Sequence, residues 1–192
     1  MIEVAGLVVS AALAHVATNL DNLVIMVGLI LTIGRLRTVT SYIVAQVIVF
    51  AAAYYVSEGL ETELPMKIGY LGAIPIALGV VALLRRSPST ASVEEKPLGQ
   101  THFVAVLVLF LSVSFDTFAV FTPLLADTRQ VFFMPVLIGA AVSTLMLALS
   151  GALLAELAPN RVERLGRLEW LAPYVMIAIG LYVVLNTSTD AV

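Results

Sequence analysis

The sequence predicts an all-α integral membrane protein whose six transmembrane helices form two inverted-topology three-helix repeats. The first observation is composition: 60% of the 192 residues are hydrophobic, 12% are charged, and the mean hydropathy is +1.04. Soluble domains carry about 25% charged residues, and a soluble fold of this length cannot bury so much apolar surface. The other two observations are six separate apolar stretches and a match between the two halves of the chain.

The apolar stretches have the length of membrane-spanning helices. A helix needs about 20 apolar residues to cross the hydrocarbon core of a bilayer. The first stretch is too long for a straight helix, so we expect it to tilt, break or extend past the bilayer, and the sixth is short. Barrel strands would be shorter and would alternate polar with apolar residues, which these stretches do not. The six stretches cover residues 4–33, 39–56, 68–84, 103–126, 131–157 and 170–185.

The basic residues predict the orientation of the chain. Lys and Arg accumulate in the cytoplasmic loops of membrane proteins. Eight of the ten basic residues follow the first, third and fifth stretches, whose loops all face one side. We therefore expect both termini to lie outside the cytoplasm. The eight residues are Arg35, Arg37, Arg85, Arg86, Lys96, Arg161, Arg164 and Arg167.

A polar loop, RRSPSTASVEEKPLGQ, lies at the midpoint of the chain and has the composition of a flexible linker. We expect a single membrane domain, 1–192, with repeat one at 1–84, a cytoplasmic linker at 85–101 and repeat two at 102–192. Each half has three apolar stretches, so the second half must enter the membrane from the opposite face. Inverted repeats of this kind are typical of secondary transporters, whose sites lie near the bilayer midplane.

A shift of 95 residues aligns NLDNLVIMVG in the first half with SFDTFAVFTP in the second. The shift pairs polar positions: Asp21 with Asp116, Asn19 with Ser114, and Asn22 with Thr117. It also aligns Gly28 with Pro123. Because glycine and proline both weaken helices, we expect a helix break at each of these two positions.

The two aspartates are the strongest sign of function. A charged residue at the centre of a spanning helix costs roughly 2.5–3.5 kcal/mol on insertion scales. No Lys or Arg lies within the apolar stretches to pair with Asp21 or Asp116. For a single amide or hydroxyl, hydrogen bonding to a neighbouring helix and binding a ligand both remain open. Two carboxylates at matching repeat positions favour a functional site.

The polar residues together predict a cation site, because carboxylate, amide and hydroxyl oxygens suit cations of the hard or intermediate kind. Helical spacing places His15, Asn19 and Asn22 on one face, with Thr18 beside them. It also places Ser112 on the same face as Asp116. The predicted metal ligands are Asp21, Asp116, Asn22, Asn19, Thr117 and Ser114. The predicted periphery of the site includes Thr18, Ser112 and His15.

Five motifs carry a family resemblance: ATNLDNLVIMV, YIVAQV, LGAIPIALGV, FDTFAVFTP and ERLGRLEWLAPYVMIAIGLYVV. With them, nearly the whole chain resembles the cadmium-resistance (CadD-type) transporters of the LysE superfamily, which are small bacterial exporters. The resemblance implies export of divalent heavy-metal cations across the inner (cytoplasmic) membrane of a bacterium. It also implies that Asp21 and Asp116 form the transport site, with Gln46 of YIVAQV at its periphery.

The fourth stretch departs from the pattern of that family. There a Cys often precedes the aspartate and an Asn follows it, whereas this chain reads SVSFDT, with Thr117 in the place of the Asn. Cadmium is soft and favours sulfur ligands. Zinc, manganese or another divalent ion therefore fits this oxygen set at least as well as cadmium.

We expect a secondary-active transporter that exports a divalent heavy-metal cation (cadmium, zinc or similar) in exchange for protons. Two carboxylates neutralise a doubly charged ion, and two protons can neutralise the carboxylates on the return stroke. The alternative is a LysE-like exporter of an amino acid or another organic cation. The expected partners are the metal ion, protons and the lipid bilayer, with a homodimer as the candidate assembly.

We do not expect an enzyme. Membrane aspartyl proteases also use two aspartates, but their GxGD-type context is missing here, and so is the HExxH of zinc proteases. The sequence also lacks GxxxxGK[ST], so ATP cannot drive transport through this chain alone. Apart from the transported ion we expect no cofactor. We expect no nucleic acid partner, because the basic residues form no stripe.

Overall fold

The computed structural model describes residues 2–63, 70–84, 103–157 and 172–185, and every regular element in these ranges is helical. The predicted all-α class is thus confirmed for the described residues. The linker predicted at 85–101 lies outside them. The helices are α1 (Ile2–Thr18), α2 (Leu20–Ile33), α3 (Arg35–Glu63), α4 (Ala73–Leu84), α5 (Phe103–Val113), α6 (Phe115–Asp127), α7 (Phe133–Leu157) and α8 (Ala172–Val184).

Two segments of the described chain are straight, apolar and long enough to cross a membrane: Arg35–Gly59 in α3 and Gln130–Leu157, which includes α7. Two further segments are apolar but bent. The helices α1 and α2 meet at 58°, and α5 and α6 meet at 56°. The described helices therefore provide two spans, or four if each bent pair is one span. Since α4 and α8 are apolar but shorter, the six predicted spans stay a prediction.

The two bends lie at equivalent positions of the proposed repeat, Asn19 and Ser114. At the first bend the Asn19 backbone N–H donates to the carbonyl oxygen of Val16 at 3.2 Å, which is a tighter turn than an α-helix makes. Asparagine and serine favour such positions because their side chains compete with the backbone for hydrogen bonds. A shift of 95 residues therefore relates the bends as well as the aspartates.

The helix breaks predicted at Gly28 and Pro123 are wrong. The helix α2 continues through Gly28, and α6 continues through Pro123 to Asp127. A glycine in a helix interior costs only about 1 kcal/mol. A proline is tolerated in membrane helices because neighbouring groups can satisfy the freed carbonyl. The helices break instead where side chains reach across to another helix, as the site geometry shows below.

The turn from α2 into α3 depends on Gly34, which has φ of +100° and follows the last residue of α2. Residues with a Cβ rarely adopt this conformation. The Thr38 hydroxyl donates to the Gly34 carbonyl oxygen at 2.9 Å and supports the start of α3. Next to the turn, Arg35 forms an ion pair with Glu156 at the end of α7.

Two apolar clusters form the core. One comprises Ala11, Ala14, Ala53, Val120, Phe121, Leu124, Leu125, Phe133, Val136, Ala140 and Met176. The other comprises Leu23, Met26, Tyr42, Ala45, Val106, Phe110, Leu147 and Ala148. The first cluster draws on the half-helices α1 and α6, and the second draws on α2 and α5. A layer of buried polar side chains separates the two clusters at the level of the two bends. These side chains belong to the bent pairs α1–α2 and α5–α6 and to the long helices α3 and α7.

Small residues allow the helices to approach closely. The helix α1 packs on α7, α3 packs on both α5 and α6, and α4 packs on α8. A Cβ added to Gly139 of α7 would collide with the backbone carbonyl oxygen of Val8 in α1. A Cβ added to Gly151, further along α7, would meet the terminal methyl group of Met26. The two glycines therefore differ in what a substitution would displace.

We expect Gly139→Ala to lower the melting temperature in detergent more than Gly151→Ala does. The first substitution must push a helix backbone away, whereas the second displaces the end of a flexible side chain. Overpacking costs typically about 1–3 kcal/mol. Gly28→Ala is the control, since a Cβ built at Gly28 has no described atom within 4 Å other than its chain neighbours and the backbone of its own helix. Equal melting temperatures for the two α7 variants would contradict the close approach of α1 to Gly139.

Candidate functional site

The two bends contact each other through buried side chains. The Asn19 side-chain amide nitrogen donates to the Thr117 hydroxyl at 2.7 Å, and the Asn22 amide nitrogen donates to the Ser114 hydroxyl at 3.1 Å. The hydroxyl oxygens of Thr18 and Thr117 lie 3.2 Å apart. Each bend therefore supplies the hydrogen-bond partners that the other needs. The structure brings these five predicted site residues together.

Gln46 of α3 joins both bends. Its side-chain nitrogen donates to Asn19 Oδ1 and to Ser114 Oγ, each at 2.9 Å. Its Oε1 lies 3.2 Å from His15 Nε2. The side chains of Gln46 and His15 are both fully buried. The peripheral position predicted for Gln46 from the family resemblance is therefore a central position in this hydrogen-bond network.

His15 connects the network to α7. Its Nδ1 lies 2.9 Å from the Ser143 hydroxyl, and its ring packs against Phe50 and Phe121 with centroid distances of 5.1 and 6.2 Å. Ser143 was not among the predicted site residues. The sequence gives one indication of its role: Ser143 and Thr144 are adjacent polar residues in the middle of the apolar stretch 131–157.

Asp21 and Asp116 occupy the same position on their helices, the second residue of α2 and of α6. Both side chains are partly buried. The N-terminus of a helix carries partial positive charge and stabilises a carboxylate by about 0.3–1 kcal/mol, or up to about 2 kcal/mol when partly buried. Asp21 Oδ1 also accepts a hydrogen bond from the Asn22 backbone N–H at 2.7 Å. The bends thus place two helix N-termini inside the apolar protein, where they offset part of the cost of the charges.

The side-chain oxygen of Asn22 is buried and accepts no hydrogen bond from the described residues. Its amide nitrogen donates to Asn19 Oδ1 at 2.8 Å and to Ser114, which uses both of its hydrogens. Its Oδ1 is buried and has no hydrogen-bond partner among the described residues. An unpaired buried acceptor costs about 1–3 kcal/mol. A bound cation next to Asp21 would satisfy this oxygen.

Tyr42 is buried next to the site and was not among the residues predicted from the sequence. It lies one turn before Gln46 on α3, and its ring packs edge-to-face on Phe110 at a centroid distance of 5.4 Å. Its hydroxyl is buried with no hydrogen-bond partner in the described part of the chain, and the Asp21 carboxylate acts on it electrostatically. The signal in the sequence is the spacing of four residues between Tyr42 and Gln46, which puts both on one helix face.

Ser112 does not join the network. Its side chain is exposed, and its hydroxyl donates to the carbonyl oxygen of Val108 on its own helix at 2.8 Å. The expectation that Ser112 shares a face with Asp116 assumed one continuous helix. The bend at Ser114 separates the two residues onto different helices.

The described residues contain no group of three or more His, Cys, Asp and Glu side chains that could hold a metal ion. A cation at this site would therefore need neutral oxygens in addition to carboxylates. The network provides them from amide and hydroxyl groups at the two bends. Magnesium, calcium and manganese prefer ligands of this oxygen-rich kind.

The comparisons with known proteins give one match. A family model described as "Cadmium resistance transporter" matches residues 7–192, nearly the whole chain. No curated protein matches the chain, and no solved structure matches it.

We expect Gln46→Leu to destabilise the protein more than removal of a polar group elsewhere. The substitution removes the donor that joins Asn19 to Ser114, which then keep only the Asn22 amide as a donor, and it leaves His15 Nε2 without its Gln46 partner. A buried polar group left unpaired costs about 1–3 kcal/mol. Thr32→Val is the control, since the exposed Thr32 hydroxyl bonds only to carbonyl groups of its own helix. Thermal unfolding in detergent measures the difference. If both variants melt at the parent temperature, the Gln46 bonds do not hold the two bends together.

Proposed function

Because the chain belongs to the cadmium-resistance transporter family, we propose that it is a secondary-active exporter of a divalent heavy-metal cation. The cation binds between the two bends and is exchanged for protons. The observation that carries this proposal is the pair of aspartates in the first turns of α2 and α6, at bends that are hydrogen-bonded to each other.

The charges at the site suit a doubly charged ion. Asp21 and Asp116 together neutralise such an ion, so the loaded site crosses the low-dielectric interior with little net charge. The unpartnered Oδ1 of Asn22, the residue after Asp21, supplies a neutral oxygen. Thr117, the repeat mate of Asn22, has its hydroxyl oxygen at the same junction. Carboxylate and neutral oxygens in such combinations bind divalent cations.

The ligand chemistry extends the choice of ion beyond cadmium. The chain contains no cysteine, so thiolate ligands are excluded. Both ring nitrogens of His15 are occupied by Gln46 and Ser143. The remaining candidate ligands are oxygens, which favour zinc or manganese at least as much as cadmium. We therefore propose a broad divalent metal substrate class, with cadmium as one member.

Protons complete the cycle. When the metal leaves, two protons can neutralise the aspartates and allow the empty site to return without net charge. Metal binding to carboxylates competes with protons, so binding must weaken as the pH falls. A proton gradient directed into the cell can then drive export of the metal ion.

The packing supports two inverted repeats. A shift of 95 residues relates α1 and α2 to α5 and α6, and α3 to α7, while a shift of 101 residues aligns Gly79 of α4 with Gly180 of α8. The packing of α1 and α2 on α7 then corresponds to the packing of α5 and α6 on α3, and both are observed. The repeat exchanges α4 with α8, so a contact between these two helices is also consistent with it, and this contact is present. We propose on this basis that all six apolar stretches span the membrane, α4 and α8 included.

The ion pair between Arg35 and Glu156 agrees with the predicted orientation. Arg35 follows the first apolar stretch, and Glu156 ends the fifth, so the predicted topology puts both on the cytoplasmic side. The pair joins these two ends directly. We propose an inner-membrane protein of a bacterium with both termini outside the cytoplasm.

We expect Asp21→Asn and Asp116→Asn each to abolish metal flux in proteoliposomes, because each removes a charge needed to neutralise the ion. Both variants should still fold, since asparagine keeps the shape and removes a buried charge. Flux is measured with cadmium, zinc, manganese and a basic amino acid, with and without a pH gradient. In the parent protein, metal binding should weaken between about pH 8 and pH 5, as carboxylate ligands require.

Glu58→Gln is the matched control, since it removes an exposed carboxylate of α3 away from the bends. We expect it to leave the flux unchanged. Parent activity in both aspartate variants would show that the ion crosses elsewhere. Metal binding that does not depend on pH would contradict exchange for protons at the carboxylates. Flux of the amino acid without flux of any metal would replace the proposed substrate class.

A further inference from the structure

One backbone carbonyl fixes the direction of the Asn19 amide. The bend leaves the carbonyl oxygen of His15 without its usual helical donor, because the Asn19 N–H bonds to Val16 instead. A polar atom of the Asn19 side chain lies 3.0 Å from that oxygen. Since a carbonyl oxygen can only accept a hydrogen bond, this atom must be the amide nitrogen, Nδ2.

The direction of Asn19 determines the directions of two more amides. With Nδ2 facing His15, Asn19 Oδ1 faces Asn22 at 2.8 Å and Gln46 at 2.9 Å. An oxygen acceptor requires a donor at each of these distances, so both neighbours must present their nitrogens. The Oδ1 of Asn22 is therefore turned out of the network, and this is the buried oxygen that has no partner among the described residues.

We infer that Asn19 is a positioning residue rather than a metal ligand, and that it holds the Asn22 amide with its oxygen presented to the transported cation. This inference rests on the proposed function. Both polar atoms of Asn19 already have protein partners. If the Asn22 amide were reversed, it would point its N–H hydrogens at the cation and repel it. Asn19 thus acts on the ion through Asn22.

The direction of the Gln46 amide also determines which ring nitrogen of His15 carries a hydrogen. Because Gln46 presents its nitrogen to Asn19, its Oε1 faces His15 Nε2, and this ring nitrogen must carry a hydrogen. In the neutral ring Nδ1 is then an acceptor. The single hydrogen of the Ser143 hydroxyl must therefore point to Nδ1 rather than to the carbonyl oxygens of Gly139 and Ala140, which also lie 2.9 Å away. The tautomer of His15 therefore reports the direction of every amide in the network, even without a bound ion.

A double-mutant cycle on cadmium affinity tests the positioning role. Titration calorimetry in detergent compares the parent with Asn19→Ala, Asn22→Ala and the double variant. Loss of a residue that positions a ligand typically lowers metal affinity about 10–100-fold. We expect a loss of this size for each single variant and no further loss in the double variant, because Asn19 acts through Asn22. Losses that multiply would make Asn19 an independent ligand, and an unchanged affinity for Asn22→Ala would remove Asn22 from the site. Either result overturns the inference.

A second measurement does not depend on metal or on folding of the Asn19 variant. His15 and His102 are the only histidines in the sequence, so His102→Gln leaves a single imidazole. Nitrogen NMR of this protein, metal-free and at neutral pH, should show the tautomer with hydrogen on Nε2. Hydrogen on Nδ1 would overturn the deduced polarity. If the parent protein binds no divalent cation, the proposed function and the role toward the cation both fail, whereas multiplying losses in a parent that binds metal overturn the inference alone.

Discussion

The hydrogen-bonded junction between two bent helix pairs is the feature on which the rest of the protein depends. Each bend ends one helix and begins another inside an apolar protein. At the first bend the His15 carbonyl oxygen accepts from the side chains of Thr18 and Asn19. The side chains of the two bends also bond to each other, Asn19 to Thr117 and Asn22 to Ser114. The same bends point two helix N-termini into the interior, and these favour the carboxylates of the first turns.

The apolar clusters on either side of the polar layer strengthen the hydrogen bonds and charge interactions within it. In a low-dielectric interior, hydrogen bonds and charge interactions are stronger than in water, and unpaired polar groups cost more. A network that satisfies almost all of its members is therefore rigid. In and beside this network, two buried atoms have no hydrogen-bond partner among the described residues: the Tyr42 hydroxyl, on which Asp21 acts electrostatically, and the side-chain oxygen of Asn22, the residue after Asp21. Both of these atoms are thus associated with Asp21, a proposed ligand of the ion.

Much of this arrangement could be predicted from the sequence, because membrane insertion makes polar residues conspicuous. The apolar stretches located the helices, and the shift of 95 residues paired the positions at which both helices bend. Local propensity alone did not locate the helix breaks, because it ranks glycine and proline as weaker helix formers than asparagine and serine. Gly28 and Pro123 are intrinsically weak helix formers, yet the helices break at Asn19 and Ser114, where partners on another helix stabilise the break. Such partners, like Ser143 for His15, depend on tertiary packing and leave little trace in the sequence.

X-ray absorption spectroscopy of the cadmium-loaded protein tests most directly whether both bends bind one ion. We predict one cadmium ion per chain, with a first shell of oxygen atoms that changes in the Asp21→Asn variant and also in the Asp116→Asn variant. The sequence contains no cysteine, so only methionine could contribute sulfur. A sulfur atom in the first shell, or a shell that neither substitution changes, would contradict a shared site at the junction of the two bends.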